Sequence, residues 1–139
     1  MRKSNVLSHA EANERRMLSQ IRVAELVQVI AVHNDSMTVD VKPLVKRGIG
    51  GTYASPPPVL GVKIAYIPHI VSVTVTVDGK TGTGTGTVRP DVRTGDVGVI
   101  VYLDRDSDAS QISGEESEPN STRLHSGDDA VFVGAVFPG

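Results

Sequence analysis

The sequence lacks cysteine and tryptophan, and it holds only three tyrosines and two phenylalanines in 139 residues. Without cysteine, a disulfide framework, a thiolate metal site and a cysteine nucleophile are all excluded. With so few aromatic rings, little is available for the stacking platforms that bind single-stranded nucleic acid. Neither sign of charge is in excess, because 14 Lys and Arg stand against 16 Asp and Glu. This balance argues against strong attraction to nucleic acid or to an anionic membrane.

Long hydrophobic runs are also missing. No apolar stretch reaches the ~20 residues that a membrane-spanning helix needs. The basic residues at the start of the chain are not followed by the apolar segment of a signal peptide. We therefore expect no stable membrane anchoring. The length suits a single domain with its own core.

What the chain has in abundance is valine, with 22 residues, together with 14 glycines and 8 prolines. β-Branched residues favour strands, and glycine and proline mark turns. Apolar or alternating runs predict strands at residues 21–32, 37–45, 59–66, 70–77, 81–88, 97–103 and 130–136. The run at 97–103 is predicted to be a buried strand, whereas 46–58 and 104–121 are predicted to be loops. Strands at this spacing, without crossover helices, predict an all-β domain at 21–139, built as a small barrel or sandwich.

Residues 1–20 differ from the rest and form a separate N-terminal segment. Their spacing predicts a helix at 8–19, with Ser8 as the N-cap and Glu11 completing a capping box. Glu14 interrupts its thin apolar stripe. The stripe consists of Leu7, Ala10, Met17 and Leu18. Two interpretations remain open: a leader that packs on the domain, and an arm that docks a partner through these four residues.

The segment 70–88 has a strong hairpin pattern. Valine alternates with serine or threonine up to Asp78-Gly79, a dipeptide typical of a two-residue hairpin turn. The return strand alternates threonine with glycine, so one of its faces is almost bare. It contains Thr81, Gly82, Thr83, Gly84, Thr85 and Gly86. Such a limb is either a weakly paired, flexible extension or a protruding hairpin that contacts a neighbouring subunit through these six residues.

Few residues point to catalysis or metal binding. Four acidic residues have the spacing of the oxygen ligands in a calcium loop. They are Asp104, Asp106, Asp108 and Glu115. Ala109 stands where the sharp turn of such a loop needs glycine, so we favour a solvated acidic loop. The four histidines form no metal-binding pair, and no nucleophile-elbow motif is present, so the sequence predicts no enzyme, no cofactor and no metal.

A series of short motifs in the second half of the chain resembles a known family. The series consists of residues 95–101 (GDVGVIV), Asp104-Arg105, Asp108, Arg123, His125-Ser126 and 129–133 (DAVFV). Residues 39–45 and 58–62 precede these motifs in the order that the family keeps. Together they resemble the N-terminal OB-fold domain of phage baseplate central-spike proteins, the membrane-piercing tail-tip family, over about residues 21–137.

The resemblance implies a small OB-fold-like barrel with an N-terminal helix and an extended Thr/Gly hairpin. It implies a structural protein of the virion, located in the tail baseplate of a phage or of a phage-tail-like particle and assembled in the bacterial host cytoplasm. In that family the domain is a homotrimer that joins the hub to a distal spike for envelope penetration. The implied partners are therefore further copies of the chain and the baseplate hub and tail-tube proteins.

For the motif residues the resemblance suggests a scaffold hypothesis and no catalytic role. The Gly95-Asp96 turn would lead into a core strand. The pair Arg123 and His125 would fix the long loop against the barrel, together with Asp104 and Asp108.

Three departures from the family pattern affect these expectations. Ser110 stands where relatives often carry tryptophan, and the hairpin at 70–88 is longer than usual. The sequence ends at Gly139 without a β-helical needle or an H-x-H iron tip. We therefore expect piercing to belong to a separate spike-tip protein, or this chain to be a reduced spike or a plug at the hub.

An alternative function is an OB-fold binding module for single-stranded nucleic acid or an oligosaccharide. Such barrels bind with basic grooves and stacking aromatics. The balanced charge and the scarcity of aromatic residues speak against it, so we expect no nucleic acid partner.

Overall fold

The computed structural model describes residues 5–49 and 51–137. Within these residues the chain forms two α-helices, nine strands and one 3₁₀ turn. Their order is α1 (Asn5–Gln20), β1 (Ala24–His33), β2 (Thr38–Pro43), β3 (Arg47–Ile49), β4 (Thr52–Ala54), β5 (Val59–Ile64), β6 (His69–Val77), β7 (Lys80–Val88), β8 (Val97–Tyr102), α2 (Asp108–Ser113), the 3₁₀ turn (Gly127–Asp129) and β9 (Ala130–Ala135). No helix among the described residues combines the length and the apolarity needed to span a membrane.

Five of the strands close into a barrel in the order β1-β2-β5-β9-β8, with β8 pairing back to β1. Neighbouring strands are antiparallel except β5 and β9, which run parallel. This is a small barrel of the OB-fold type, and the predicted all-β class is confirmed. The connection between β5 and β8, the third and fourth barrel strands, carries the separate two-stranded sheet β6–β7.

The barrel interior is narrow and aliphatic because inward positions on the strands are mostly valine. Its buried residues are Val27, Val29, Val39, Val41, Val59, Val62, Ile100, Tyr102, Ala130 and Phe132. Alternation produces this core, since successive side chains on a strand point to opposite faces. On β2, for example, Val39 and Val41 are fully buried while Lys42 is exposed.

The Gly95-Asp96 turn is tied to the middle of β1. The Gly95 N–H donates to the Val29 carbonyl, and the Val29 N–H donates to the Asp96 carbonyl, both at 2.8 Å. Gly95 has a φ of 96°, a conformation that favours glycine. The turn thus holds the start of β8 against β1, which agrees with the scaffold role suggested for it.

Gly98 is the tightest point of the barrel wall. A Cβ atom placed there would overlap the Phe132 ring and would lie 2.5 Å from the Gly134 carbonyl oxygen. Phe132 is itself 1% exposed, so its ring has nowhere to move. Glycine at this position is therefore required by packing.

We expect Gly98→Ala to lower the free energy of unfolding by about 2–3 kcal/mol, the upper part of the usual cost of overpacking, because backbone as well as a ring must shift. Urea denaturation followed by circular dichroism measures the change. Gly127→Ala is the matched control, since its Cβ would meet the Val59 side chain at an ordinary 3.4 Å. Equal stability of the two variants would contradict this view of the core.

Two predicted loops contain regular structure. Residues 46–58 include the short hairpin β3–β4, in which Gly48 pairs with Tyr53 and leaves room for its ring. Residues 104–121 include α2, which begins after Ser107 and ends at Gly114 in the left-handed conformation. Both elements are short and lack apolar periodicity, which is why the sequence pattern did not predict them.

Two further predictions are corrected. The helix α1 already includes Asn5, so Ser8 lies inside it and the predicted capping box with Glu11 is wrong. The strand β8 is buried on one face only, because Val97, Val99 and Val101 remain partly exposed while Gly98, Ile100 and Tyr102 point inward.

Candidate assembly surface

The strands β6 and β7 form a ribbon that extends from the barrel. Among the described residues each strand of the ribbon pairs only with the other. All nine residues of each strand are exposed. An isolated two-stranded hairpin is marginally stable in water, so this ribbon gains little from its own chain beyond its internal pairing.

The turn of the ribbon is the one that the sequence predicted. Asp78 and Gly79 have φ angles of 51° and 74°. Positive φ at both central residues is the requirement of a type I′ turn, whose twist matches that of the flanking strands. The ladder then runs without interruption from Val77 opposite Lys80 to His69 opposite Val88.

The register gives the ribbon two chemically different faces. Directly opposite residues of an antiparallel pair share a face. Val71, Val73 and Val75 lie opposite Gly86, Gly84 and Gly82, and this set is named the Val/Gly face. On the other face, threonines of β7 lie opposite serine and threonine, and opposite Ile70 at one end. The hydroxyls of Thr76 and Thr81 lie 3.2 Å apart.

The Val/Gly face consists of a row of valine side chains beside a row of glycines, which have no side chains. The side chains of Val71, Val73 and Val75 are 43%, 50% and 53% exposed. A Cβ atom built on Gly82, Gly84 or Gly86 would have no neighbour within 4 Å. The face therefore offers a row of exposed apolar side chains next to open space above the three glycines.

The ribbon also lacks the usual protection against pairing. Natural edge strands carry charged residues, proline or bulges that prevent association. From 70 to 77 and from 81 to 88 the ribbon holds no charged residue and no proline, and its register is regular throughout. Such a surface is typical of one that another chain covers.

The residues predicted for partner docking lie on α1. Ala10 is exposed, and Leu7, Met17 and Leu18 are 50%, 63% and 60% exposed. Within the described part of the chain, no extended packing joins α1 to any strand. These four side chains are therefore left exposed, and the docking arm stays a prediction.

The acidic loop is organised around the guanidinium group of Arg123. Arg123 donates to both carboxylate oxygens of Asp129, at 2.7 and 2.8 Å. It also donates to Asp106 at 3.0 Å and to Asp108 at 3.1 Å. The two carboxylates of Asp106 and Asp129 are 3% and 0% exposed. The expectation of a solvated loop is therefore wrong for these residues.

The contacts of this Arg123 cluster shift the pKa of Arg123 and the pKa of Asp106. Hydrogen bonds to Asp129 and then Asp108 raise the pKa of Arg123 above its ordinary value. The Ser121 hydroxyl, 2.9 Å away, is the largest cause that lowers the pKa of Asp106, and the Arg123 charge lowers it further. The result is a loop held by hydrogen bonds and ion pairs to Arg123.

The Arg123 cluster also includes two of the residues whose spacing was compared with a calcium loop, Asp106 and Asp108. Carboxylate oxygens of Asp106, Asp108 and Asp129 lie within 4.8 Å of one another, a spacing that could surround a cation. The Arg123 guanidinium contacts all three. Asp104 contributes its carbonyl, which accepts from the His125 N–H at 3.4 Å. The scaffold hypothesis for the loop thus agrees with the geometry, with Asp129 as a member that the calcium spacing missed and Asp106 as one that the scaffold hypothesis did not name.

A second polar group closes one end of the barrel. The Tyr102 hydroxyl donates to Glu25 at 2.6 Å, and Glu25 also accepts from Arg47 at 2.5 Å. The guanidinium of Arg22 lies 5.7 Å from the centre of the Tyr102 ring. Burial, and then the hydrogen bond to Glu25, raise the pKa of Tyr102 to about 12.

This shift predicts a loss of stability at alkaline pH. The pKa of Tyr102 is 10.0 when exposed and about 12 when folded. Its contribution is therefore complete below pH 10 and is lost as the pH rises toward 12, because only the unfolded chain releases the proton in that window. Urea titrations at a series of pH values should show a steeper alkaline decline for the natural chain than for Tyr102→Phe. Parallel curves would contradict the assignment.

The surface that OB-folds use for binding has a different character here. That surface is the outer face of the second and third barrel strands with the adjoining loops. On β2 and β5 its outward residues are Thr38, Asp40, Lys42, Leu60 and Lys63. No aromatic side chain is among them, and Lys63 is paired with Gln111 and Asp108. The aromatic residues of an oligonucleotide groove are thus not present on these two strands, and their two lysines, Lys42 and Lys63, stand beside Asp40.

Comparison with protein-family models finds no match. No curated protein matches the chain significantly. The functional argument therefore depends on the barrel, the ribbon and the exposed apolar surfaces, together with the motif order of the sequence.

Proposed function

We propose that this chain is a structural component of the tail baseplate of a phage or of a phage-tail-like particle. In this proposal three copies form the central spike or tail-tip body that joins the hub to the distal tip. The observation that carries the proposal is the ribbon, which holds no charged residue from 70 to 77 and from 81 to 88, with its uncovered Val/Gly face, on an OB-fold-like barrel. The motif order of the sequence supplies the comparison with the tail-tip family.

The proposed role needs a rigid joint and no chemical step. The barrel supplies stiffness through its closed hydrogen-bonded wall, and the Arg123 cluster fixes the connection between β8 and β9 to that wall. Ribbons from neighbouring copies would pack ridge into groove across the Val/Gly face and hold the copies together. In a closed cyclic assembly every copy would contact its neighbours through this face, so no copy would have the face exposed.

The placement in the particle can be tested by electron microscopy. Antibody against this chain should label tails of the source particle at their distal end, beneath the hub. Label distributed along the tail tube or sheath, or particles without label in a preparation that contains the chain only in free form, would overturn the proposed function.

The alternative function, binding of single-stranded nucleic acid or oligosaccharide by the barrel, is favoured by the fold alone. The residues of β2 and β5 speak against it, as described above. Fluorescence anisotropy with labelled oligonucleotides at low salt decides between the two. Tight binding that weakens steeply with added salt would favour the alternative, because phosphate contacts give such a dependence.

A further inference from the structure

The outer surface of the barrel is apolar on one side and polar on the other. On β1, β8 and β9, residues that lie directly opposite one another share a face of the sheet, and one such set has its side chains on the apolar outer side. The set is Ala24, Leu26, Val97, Val99, Val101 and Val131, named here the aliphatic face, with Gln28 beside Val97. None of these seven residues is charged. The outward residues of β2 and β5 include Asp40, Lys42 and Lys63 by contrast.

A strand that is apolar on both faces is typical of one buried on both faces. In β8 only the inward residues are fully covered by the chain itself, and Leu26 on the neighbouring strand is 39% exposed. The composition of the face, aliphatic and without charge, is that of an obligate interface rather than of a transient one. We therefore expect another protein surface to be packed permanently against the aliphatic face.

The helix α1 has the complementary surface in both size and chemistry. Ala10, Met17 and Leu18 lie within about 100° of one another around the helix axis. From Ala10 to Leu18 the helix rises about 12 Å at 1.5 Å per residue. From Ala24 to Gln28 the strand β1 spans about 13 Å at 3.3 Å per residue. A helix stripe of this length covers the face in one crossing.

The polar residues of the two surfaces also match. Glu14 is the residue that interrupts the stripe of α1, and Gln28 is the polar member of the aliphatic face. An amide N–H donates well to a carboxylate. A helix seated on the face would thus bring an acceptor to the one donor that the face presents, and every other contact would be apolar.

Within the described part of the chain, the helix makes no extended contact with the strands of its own barrel. The connection 21–23 contains neither glycine nor proline. The Val23 carbonyl accepts from the Tyr102 N–H at 3.0 Å, and Arg22 lies over the Tyr102 ring. These contacts hold the connection along β8 in the line of β1, so folding back across the same face would require breaking them.

We propose that α1 of one copy packs across the aliphatic face of a second copy. The chain thereby supplies both halves of a head-to-tail contact, which closes into a ring in a cyclic assembly. The proposal rests on the proposed function in that it needs an oligomer, but it uses residues other than the Val/Gly face. It makes α1 an exchanged arm rather than a docking site for a different protein.

Cross-linking between two differently tagged chains tests the proposal, because the natural chain has no cysteine. One chain carries Met17→Cys and the other Val99→Cys, and the two are co-expressed and treated with a short bifunctional maleimide. The expected result is a product that joins the two tags. Leu26→Cys serves as a second acceptor position should Val99→Cys fail to fold.

Two matched controls define the geometry. Ala12→Cys lies roughly 140° around the helix from Met17, and Lys42→Cys lies on the polar side of the barrel. Each control pair, Ala12→Cys with Val99→Cys and Met17→Cys with Lys42→Cys, should give little product compared with the test pair.

The outcomes separate this proposal from the proposed function. Oligomers that contain both tags but give no excess of product over the controls overturn the arm and leave the oligomer standing. A product found only within one chain, in the doubly substituted Met17→Cys/Val99→Cys protein, also overturns it. A protein that stays monomeric in light scattering overturns both.

Discussion

Replacing Gly82, Gly84 and Gly86 together with valine is expected to disrupt assembly of the proposed trimer while the chain itself stays folded. The three new side chains fill the groove of the Val/Gly face, where the space above each glycine is open in the single chain. Within that chain the change does not oppose folding, because valine favours strands and glycine weakens them. Assembly should therefore fail while the circular dichroism spectrum and the unfolding midpoint are kept or improved.

The matched control uses the opposite face of the same strand. Thr81, Thr83 and Thr85 alternate with the glycines and share a face with Thr76 and Thr74. Changing these three threonines to valine introduces the same residue, the same number of times, on the other side of the ribbon. The control should remain trimeric. A trimer in both variants, or monomers in both, would contradict the assignment of the Val/Gly face as the contact.

The second large effect is expected on folding, from Arg123→Met. Asp106 and Asp129 are almost fully buried and depend on this one guanidinium for a counter-charge. Leaving buried charges unpaired is strongly destabilising. We expect the midpoint of thermal unfolding to fall by roughly 10 °C or more at neutral pH. Arg93→Met is the matched control, because Arg93 pairs with Asp91 on the surface, where both side chains are about three-quarters exposed and such pairs contribute little.

The pH dependence of the Arg123→Met effect provides a check on its cause. The pKa of Asp106 is lowered in the folded chain, so its favourable contribution is present above the ordinary value of 3.8 and is lost as the pH falls through the folded value. The natural chain should therefore lose its advantage over Arg123→Met as the solution is made acidic. A gap that stays constant down to acidic pH would show that lost packing, and not charge, is responsible.

The ribbon illustrates what local pattern can predict. Its strands, turn and register follow from alternation and from Asp78-Gly79, all of which act between residues near in sequence. The barrel class could be predicted for the same reason, since each strand has its own period. The short hairpin β3–β4 and the helix α2 were missed because three to six residues hold too little periodicity to rise above the surrounding loop.

The Arg123 cluster shows where sequence reasoning stops. A calcium template compares neighbouring positions and selects Asp104, whereas the fold selects Asp129 from the far end of the loop. Arg123 is 15 and 17 residues from two of its partners, so no short-range spacing connects them. The family resemblance placed these residues together as a hypothesis, and the folded loop supplies the distances.

Burial of β8 was misjudged for a different reason. A continuous apolar run predicts cover on both faces, but one chain supplies cover only for the inward face. In the proposed assembly, a second chain would cover the outward face of β8. The same reasoning applies to Val71, Val73 and Val75, whose exposure in one chain makes sense once a second chain is present.

The most direct measurement is the molar mass of the purified chain in solution. Light scattering coupled to size-exclusion chromatography, over a range of micromolar concentrations, should give three times the 14.7 kDa of one chain. A mass of one chain that persists at the highest concentration would mean that the exposed apolar surfaces do not serve self-assembly, and it would contradict the account at its centre.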